Sequence, residues 1–162
     1  MIDLLKGLDF QGYLNKNSEE QNAKLLAAYE NTKLTKETEE AVKELNNIVN
    51  VVVFSEGYCP DCVVTLPFVK RMQETNENIK VYYYGLQGYK ELLEEMTGTS
   101  RIPTVITFTE AMEPKGAYIE VPQEIAEQVA RVNSDKQKEL IKEYRQGKYN
   151  DLIEKELLSI IK

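Results

Sequence analysis

The sequence contains no histidine and no tryptophan, and only two of its 162 residues are cysteine. Histidine is the side chain that most often serves as a general base, and no glycine-rich phosphate loop or serine triad is present either. The chain therefore lacks the groups that the chemistry of most enzyme classes requires. A closed zinc site usually needs four nitrogen or sulfur ligands, so the two cysteines alone do not form one and we expect no bound metal or other cofactor.

The chain also lacks a surplus of positive charge and any long apolar run. It carries 27 acidic against 20 basic residues, which predicts no broad basic surface for a nucleic-acid backbone. No stretch approaches the ~20 apolar residues that a membrane crossing needs. Asp3 and Lys6 interrupt the N-terminus where a signal peptide would be apolar. We therefore expect a cytoplasmic protein that binds neither nucleic acid nor membrane, and its length fits one domain over residues 1–162.

Helix and strand patterns follow one another in an order that predicts an α/β fold. The first 47 residues are polar, and starts near Ser18 and Thr35 predict two helices. Residues 51–54 form a continuous apolar run, typical of a strand buried on both faces. Later segments are strands at 81–84, 103–108 and 117–121, and helices starting at the cysteines, over 89–96 with Gly98 at its end, and from Pro122 to 132. The last two strands are predicted to form a hairpin, giving a mixed sheet covered on both faces.

Three consecutive tyrosines lie in the second predicted strand. Strand geometry sends Tyr82 and Tyr84 to one face of the sheet and Tyr83 to the other. We therefore interpret them as packing residues rather than as part of a cofactor site.

The tail of the chain, residues 133–162, is charged but carries an apolar stripe. Four of its residues recur at i, i+4, i+7 and i+8, which is the spacing of one helix face. They are Ile153, Leu157, Ile160 and Ile161. We predict that this face docks on its own domain, and the alternative is a surface for a partner or for a second copy of the chain.

Both cysteines belong to one short motif, Cys59-Pro60-Asp61-Cys62. A helix that begins here places the two sulfurs one turn apart on the same side, where they can close a small disulfide ring. Free N–H groups and the helix dipole favour the thiolate of Cys59, which predicts that it is the nucleophile. Cys62 lies on the apolar face of the helix, and a shielded thiol suits the resolving role. The alternative is half of a zinc site, completed by carboxylates or by a second subunit.

Several features around this motif together resemble the thioredoxin superfamily. They are the strand at 51–54, Tyr58 before the first cysteine, Pro67 five residues after the second, and Arg101-Ile102-Pro103-Thr104 before a strand. The resemblance covers residues 48–132 and is strongest to bacterial thioredoxin-like proteins with a Cys-Pro-Asp-Cys site and extra terminal helices. It implies a three-layer α/β fold with a mixed central β-sheet and helices on both faces. Helical extensions over 1–47 and 133–162 would flank this core.

The same resemblance assigns roles to residues near the cysteines. It implies a cis peptide bond between Ile102 and Pro103 beside the cysteines, whereas the alternative is a trans proline that starts a strand. Ile102 would offer backbone hydrogen bonds to an extended substrate. The residues that would shape the substrate groove are Tyr58, Pro60, Ile102 and Pro103. Pro67 matches a proline that bends the active-site helix without ending it.

Three positions depart from the family pattern. Tyr58 stands where tryptophan is common, which keeps an aromatic wall but adds a hydroxyl. The buried acid that accepts the proton of the second cysteine falls on Val53, so Asp61 becomes the candidate proton acceptor, with Glu56 as an alternative. Val63 replaces a basic residue that often follows the second cysteine. With acidic neighbours, this change predicts discrimination against acidic substrates and leaves the electron donor open.

We therefore predict a thiol-disulfide oxidoreductase that reduces protein disulfides through Cys59 and Cys62 and needs no cofactor. Its partners would be disulfide-containing proteins and an electron-donor reductase. One alternative is a non-enzymatic interaction protein that uses the same fold as a scaffold and binds a partner through its terminal helices. Another is a dimer bridged by a metal between the cysteine pairs.

Overall fold

The computed structural model describes residues 1–162 and contains four strands and eight α-helices, preceded by a short 3-10 helix over Leu4–Lys6. In chain order they are α1 (Phe10–Asn15), α2 (Glu19–Asn31), α3 (Lys36–Lys43), β1 (Val49–Phe54), α4 (Pro60–Thr75), β2 (Ile79–Tyr84), α5 (Lys90–Thr97), β3 (Thr104–Thr109), β4 (Pro114–Ile119), α6 (Gln123–Arg131), α7 (Ser134–Arg145) and α8 (Asn150–Ile161). None of these helices combines the length and the apolar character that crossing a membrane requires.

Strand β1 lies inside the sheet and is buried at all six of its positions. Its run of valines followed by phenylalanine suits a strand that has no solvent-facing side. The strand order is β2-β1-β3-β4. Strand β1 runs parallel to β2 and antiparallel to β3, and β3 and β4 pair as an antiparallel hairpin. The mixed sheet and the hairpin that the sequence predicts are confirmed.

Alternate residues of β1 belong to two separate apolar cores. Val51 and Val53 lie in a large cluster with residues of α4 and α8, whereas Val52 and Phe54 join a smaller cluster that includes Leu93 of α5. Helices α2 and α3 also pack against α4. Because neighbouring side chains of a strand point to opposite faces, full burial of β1 requires helices on both sides of the sheet. The predicted three-layer α/β fold with terminal helices is confirmed.

The tyrosines of β2 follow the predicted alternation. Tyr83 lies in the larger cluster, Tyr84 lies in the smaller one, and Tyr82 packs against the smaller one. The Tyr84 hydroxyl donates a 2.7 Å hydrogen bond to the backbone carbonyl of Asp3. Their interpretation as packing residues is confirmed, and Tyr84 additionally ties the first residues of the chain to the sheet.

The N-terminal extension contains one more helix than the sequence predicts. Helices α2 and α3 begin after Ser18 and Thr35, as expected. The additional helix α1 has only six residues. Its N-cap residue is Asp9, whose carboxylate accepts a 2.8 Å hydrogen bond from the Gly12 N–H. A helix this short has too few turns to leave an apolar repeat in the sequence, so only its cap could have revealed it.

The last strand also lies earlier than the predicted 117–121. Pro114 already pairs with Phe108 of β3, and the strand ends at Ile119. Glu120 then takes a left-handed backbone conformation with a φ of 65°. This conformation is incompatible with a continuing strand, so Glu120 ends β4.

Helix α8 packs its apolar stripe on its own domain. Ile153, Leu157 and Ile161 are fully buried in the larger core. Ile160 lies so close to β4 that a Cβ on Gly116 would come within 2.7 Å of its Cγ2. Of the two alternatives for the stripe, docking on its own domain is therefore confirmed.

A buried carboxylate joins the two extensions to each other. Glu154 of α8 is 6% exposed. It accepts hydrogen bonds from the Thr35 N–H at 3.1 Å, the Thr35 hydroxyl at 2.8 Å and the Thr38 hydroxyl at 2.7 Å. Because Thr35 is the N-cap residue of α3, the carboxylate also faces the positive end of that helix dipole.

Replacing Glu154 with alanine should lower the free energy of unfolding by about 3 kcal/mol, because three donors lose a charged acceptor in a buried site. Denaturant unfolding followed by circular dichroism measures the change. Lys155→Ala, at the exposed neighbouring position of the same helix, is the matched control and should shift stability by less than about 0.5 kcal/mol. Equal stability of the two variants would contradict the role of this contact.

Candidate active site

The two cysteines lie where the loop after β1 enters α4. Cys59 is the N-cap residue of the helix and Pro60 follows in its first turn, a position that proline tolerates because no N–H is needed there. The Cys62 N–H donates a 3.1 Å hydrogen bond to Cys59 Sγ. Both cysteines are free thiols and both are buried. The helix continues through Pro67 to Thr75, so this proline does not end it.

The two thiols differ in acidity. Hydrogen bonding with the Cys62 side chain lowers the pKa of Cys59, and backbone N–H groups of Cys62 and Asp61 lower it further against the effects of burial and of the Asp61 charge. Burial raises the pKa of Cys62 well above its usual range, and Cys59 adds to this rise through hydrogen bonding and charge. Of the two thiols, Cys59 is therefore the one that loses its proton more readily.

The loop before β3 lies against the first cysteine. The peptide bond between Ile102 and Pro103 is cis, and the Ile102 carbonyl oxygen accepts a hydrogen bond from Cys59 Sγ over 3.7 Å. The Pro103 carbonyl accepts a 2.7 Å hydrogen bond from the Glu120 N–H, which anchors the loop to the end of β4. The predicted cis bond and its place beside the cysteines are confirmed.

The candidate substrate-contacting residues surround Cys59. Tyr58 is 66% exposed, whereas Cys59 itself is 7% exposed. Pro60 is also exposed, Ile102 is half-buried and Pro103 is buried. Tyr58 and Pro60 adjoin Cys59 in the chain and the Ile102 carbonyl contacts its sulfur, so these three residues form a rim around Cys59. The contact of any of the four candidates with a substrate stays a prediction.

Asp61 is held by an ion pair with Arg145, in the last turn of α7. The Arg145 Nε donates to Asp61 Oδ1 over 2.9 Å and Nη2 donates to Oδ2 over 3.4 Å. The aspartate side chain is 11% exposed and the arginine side chain 44%. Both carboxylate oxygens are thus engaged by a guanidinium, so these contacts argue against the predicted role of Asp61 as proton acceptor. They also mean that Asp61 does not present a free negative charge to substrates.

A buried valine occupies the position at which the family carries its buried acid. Val53 is fully buried in the larger core. Two residues later, Ser55 is also fully buried and forms a 2.7 Å hydrogen bond with the Tyr13 hydroxyl. Hydrogen bonding by the Ser55 side chain lowers the pKa of Cys62, as does the backbone N–H of Glu56, although both effects are smaller than that of burial. Apart from Cys59, the side chain whose hydrogen bonding affects the pKa of Cys62 is thus a serine hydroxyl and not a carboxylate.

Three residues of the site are absent from the sequence prediction: Tyr13, Ser55 and Arg145. Tyr13 lies 42 residues from Ser55, and Arg145 lies 84 residues from Asp61. No spacing rule connects residues so far apart, because only the docking of the terminal helices brings them close. Ser55 does have a signal, since it is the first polar residue after the buried strand, at the strand end where α/β proteins carry their sites.

No three or more cysteine, aspartate or glutamate side chains come together in a group that could hold a metal ion. An apolar cavity of about 640 Å³ opens on the opposite face of the sheet, between the first residues of the chain, α5 and the β3–β4 hairpin. No residue of the cysteine site lines this cavity. The metal-bridged dimer, which needs ligands from two chains, stays a prediction.

Comparison with known proteins agrees with the observed fold. Two solved structures are similar over nearly the whole chain. A protein of unknown function from Pseudomonas aeruginosa is 20% identical with a TM-score of 0.81, covering 98% of this chain and 93% of that one. An HIV epitope scaffold is 20% identical with a TM-score of 0.80, covering 98% of this chain and 94% of that one. At such identities the similarity shows the fold alone.

No curated protein is significantly similar to the chain. A family model described as thioredoxin, however, matches residues 7–135. This range includes the sheet, the cysteine pair at the start of α4 and the cis-proline loop. The match covers well over half of the sequence, and the chain belongs to the thioredoxin family.

Proposed function

We propose that the protein is a thiol-disulfide oxidoreductase that reduces disulfide bonds in proteins. The observation that carries this proposal is the 3.1 Å hydrogen bond from the Cys62 N–H to Cys59 Sγ at the N-terminus of a 16-residue helix. Such a donor, together with the helix dipole, stabilises negative charge on the attacking sulfur. The lowered pKa of Cys59 and the raised pKa of Cys62 match a nucleophile and a resolving thiol.

The proposed cycle transfers two electrons in two exchange steps. The Cys59 thiolate attacks one sulfur of the substrate disulfide, forming a mixed disulfide and releasing the other substrate sulfur as a thiolate. Cys62 then loses its proton and attacks Cys59 Sγ, which forms the Cys59–Cys62 disulfide and releases the second substrate thiolate. The substrate is reduced by two electrons and gains two protons. A dithiol electron donor must afterwards reduce the Cys59–Cys62 disulfide, and we place this cycle in the cytoplasm, where such donors keep thiols reduced.

Substrate recognition is proposed to use the rim around Cys59. The Ile102 N–H has no hydrogen-bond partner within the chain, and its carbonyl is paired only with the Cys59 thiol. Once Cys59 is a thiolate, it no longer donates to that carbonyl. Both backbone groups of Ile102 are then available to an extended substrate segment, in the manner of strand pairing. Tyr58 and Pro60 supply exposed surface next to it.

Arg145 is proposed to keep the nucleophile acidic. The negative charge of Asp61, two residues from Cys59, raises the pKa of that thiol. Arg145 pairs with Asp61 and also interacts with the charge of Cys59. Arg145 thereby offsets the effect of the Asp61 charge on the pKa of Cys59. It also supplies a positive charge near the motif, where the family often has a basic residue and this chain has Val63.

The scaffold alternative lacks comparable support. It requires the terminal helices to present a binding surface, yet the apolar stripe of α8 is buried against its own domain. A Cys59→Ser variant separates the two functions, because a scaffold keeps its binding without the thiol. Loss of reductase activity with unchanged partner binding would show that both functions exist.

The Cys59/Cys62 couple should undergo a reversible two-electron transition at or below the cytosolic glutathione potential of roughly −220 to −320 mV. Equilibration in glutathione and dithiothreitol buffers, followed by alkylation and mass measurement, determines the potential.

Cys59→Ser should abolish the reduction of insulin disulfides, whereas Cys62→Ser should trap a mixed disulfide. A clearly higher potential would indicate an oxidant or isomerase, and the absence of any intramolecular disulfide would rule out the proposed cycle.

Replacing Arg145 with glutamine should slow the alkylation of Cys59 at neutral pH by roughly 3- to 10-fold, the effect of losing a partly exposed charge worth ~1 kcal/mol. The rate should recover at high pH, because the change raises the pKa of Cys59. Stopped-flow alkylation across pH measures this. The additional change Asp61→Asn should restore most of the rate by removing the uncompensated carboxylate.

Lys138→Gln is the matched control for Arg145→Gln. It removes the same unit charge from an exposed position two turns earlier in α7. Its alkylation profile should follow that of the unmodified protein. An Arg145→Gln profile that coincides with the control would contradict the proposed role of the ion pair.

A further inference from the structure

The Cys-Pro-Asp-Cys motif does not account for how the second thiol, Cys62, loses its proton. In the proposed cycle Cys62 must lose its proton while it is 1% exposed, in surroundings that disfavour charge. Val53 provides no acid or base beneath it. Asp61 uses both carboxylate oxygens to bind Arg145. A hydrogen-bond donor other than these two residues would therefore help to stabilise the thiolate of Cys62.

Ser55 is placed to do this. It follows β1 directly, is fully buried, and its N–H donates a 2.9 Å hydrogen bond to the Tyr84 carbonyl, which fixes its backbone to the sheet. Its hydroxyl forms a 2.7 Å hydrogen bond with the hydroxyl of Tyr13, which lies in the same buried cluster as Cys62. The Ser55 side chain also lowers the pKa of the Cys62 thiol by hydrogen bonding. A hydroxyl has a single proton to donate. If Tyr13 donates to Ser55, the proton of Ser55 remains for Cys62.

Tyr13 is held in place by the N-terminal extension. The backbone groups of Leu8 and Tyr83 exchange two hydrogen bonds of 2.9 and 2.8 Å, which attach the chain to the free edge of β2. Helix α1 begins two residues later, and the Tyr13 ring packs on the Tyr83 ring with centroids 5.2 Å apart. Tyr13 is 4% exposed, and its burial raises the pKa of its hydroxyl, which therefore keeps its proton and can act as a donor.

We propose that Tyr13 and Ser55 form a hydrogen-bonded pair that stabilises the Cys62 thiolate in the resolving step, in place of the acid missing at position 53. This inference rests on the proposed disulfide exchange and names the residues that support its second step. Ser55 donates to the sulfur that attacks Cys59 Sγ. Tyr13 is a positioning residue that orients the Ser55 hydroxyl. The proton that Cys62 loses passes to water, and the departing substrate thiolate gains one, so that charge and atoms balance.

The first experiment titrates Cys62 directly, in a Cys59→Ser background that removes the coupling between the two thiols. Alkylation rates of Cys62 are measured across pH in this background alone and with Ser55→Ala or Tyr13→Phe added. Ser55→Ala should slow alkylation near neutral pH by roughly 5- to 10-fold, the effect of losing one hydrogen bond to a charged group, with recovery at high pH. Tyr13→Phe should act in the same direction but less strongly, because the Ser55 hydroxyl remains.

The second experiment separates the two chemical steps with both cysteines present. Dithionitrobenzoate, an aryl disulfide, releases one coloured thiolate when Cys59 attacks and a second when Cys62 resolves the mixed disulfide. Ser55→Ala and Tyr13→Phe should slow the second release while leaving the first unchanged. A purely structural effect would instead alter both steps or neither.

Tyr83→Phe is the matched control. It removes a hydroxyl that is buried without a hydrogen-bond partner, from the ring that packs on Tyr13. Both releases should stay as in the unmodified protein. An unchanged second release in Ser55→Ala and Tyr13→Phe, or an equal slowing in Tyr83→Phe, would overturn the inference. Should Ser55→Ala fail to fold, Tyr13→Phe still tests the pair because it keeps the aromatic ring.

These readouts also distinguish this inference from the proposed function. They use small alkylating and disulfide reagents, so they do not require activity on a protein substrate. A slowed second release in a protein that cannot reduce protein disulfides would support the Tyr13–Ser55 pair and contradict the reductase. An active reductase with an unchanged second release would support the proposed function and contradict the role of the Tyr13–Ser55 pair.

Discussion

Strand β1 has no side that faces solvent, and this constraint organises the molecule. Its alternate side chains must enter two separate apolar layers, because each face loses its hydrophobic stabilisation if water reaches it. Helices α4 and α8 supply residues to one layer and α5 supplies them to the other. The pairing of Leu8 with Tyr83 adds protection at the outer edge of β2, where unpaired backbone groups would otherwise be exposed.

The site follows from where this buried strand ends. The chain leaves β1 at Ser55 and enters α4 at Cys59, so the first sulfur lies at a helix N-terminus and the second lies one turn deeper. Hydrogen bonding lowers the pKa of Cys59, whereas burial raises that of Cys62. Two chemically identical groups, three residues apart, thus acquire different acidities from position alone. In thiol-disulfide exchange such a difference favours one thiol for the first attack and leaves the other for the resolving step.

In the proposed mechanism each terminal extension serves one of the cysteines. The C-terminal extension brings Arg145 to Asp61, beside the nucleophile, and the N-terminal extension brings Tyr13 to Ser55, beside the resolving thiol. Glu154 links the two extensions by binding the start of α3. The extensions therefore do more than cover apolar surface, since they carry polar groups to a site whose own motif lacks a free acid or a neighbouring base.

The sequence by itself determined the elements with strong local signals. The apolar run of β1, the alternation of the β2 tyrosines, the helix beginning at the cysteines and the stripe of α8 all depend on periodicity or caps within a few residues, and all were predictable. The cis bond at Pro103 was expected only through the family resemblance. Only the tertiary structure decided the partner of Asp61 and the hydroxyl pair at Cys62, because both depend on helices that dock from distant parts of the chain. Short-range spacing carries no information about such contacts, which arise when burial of apolar faces fixes where each helix lies.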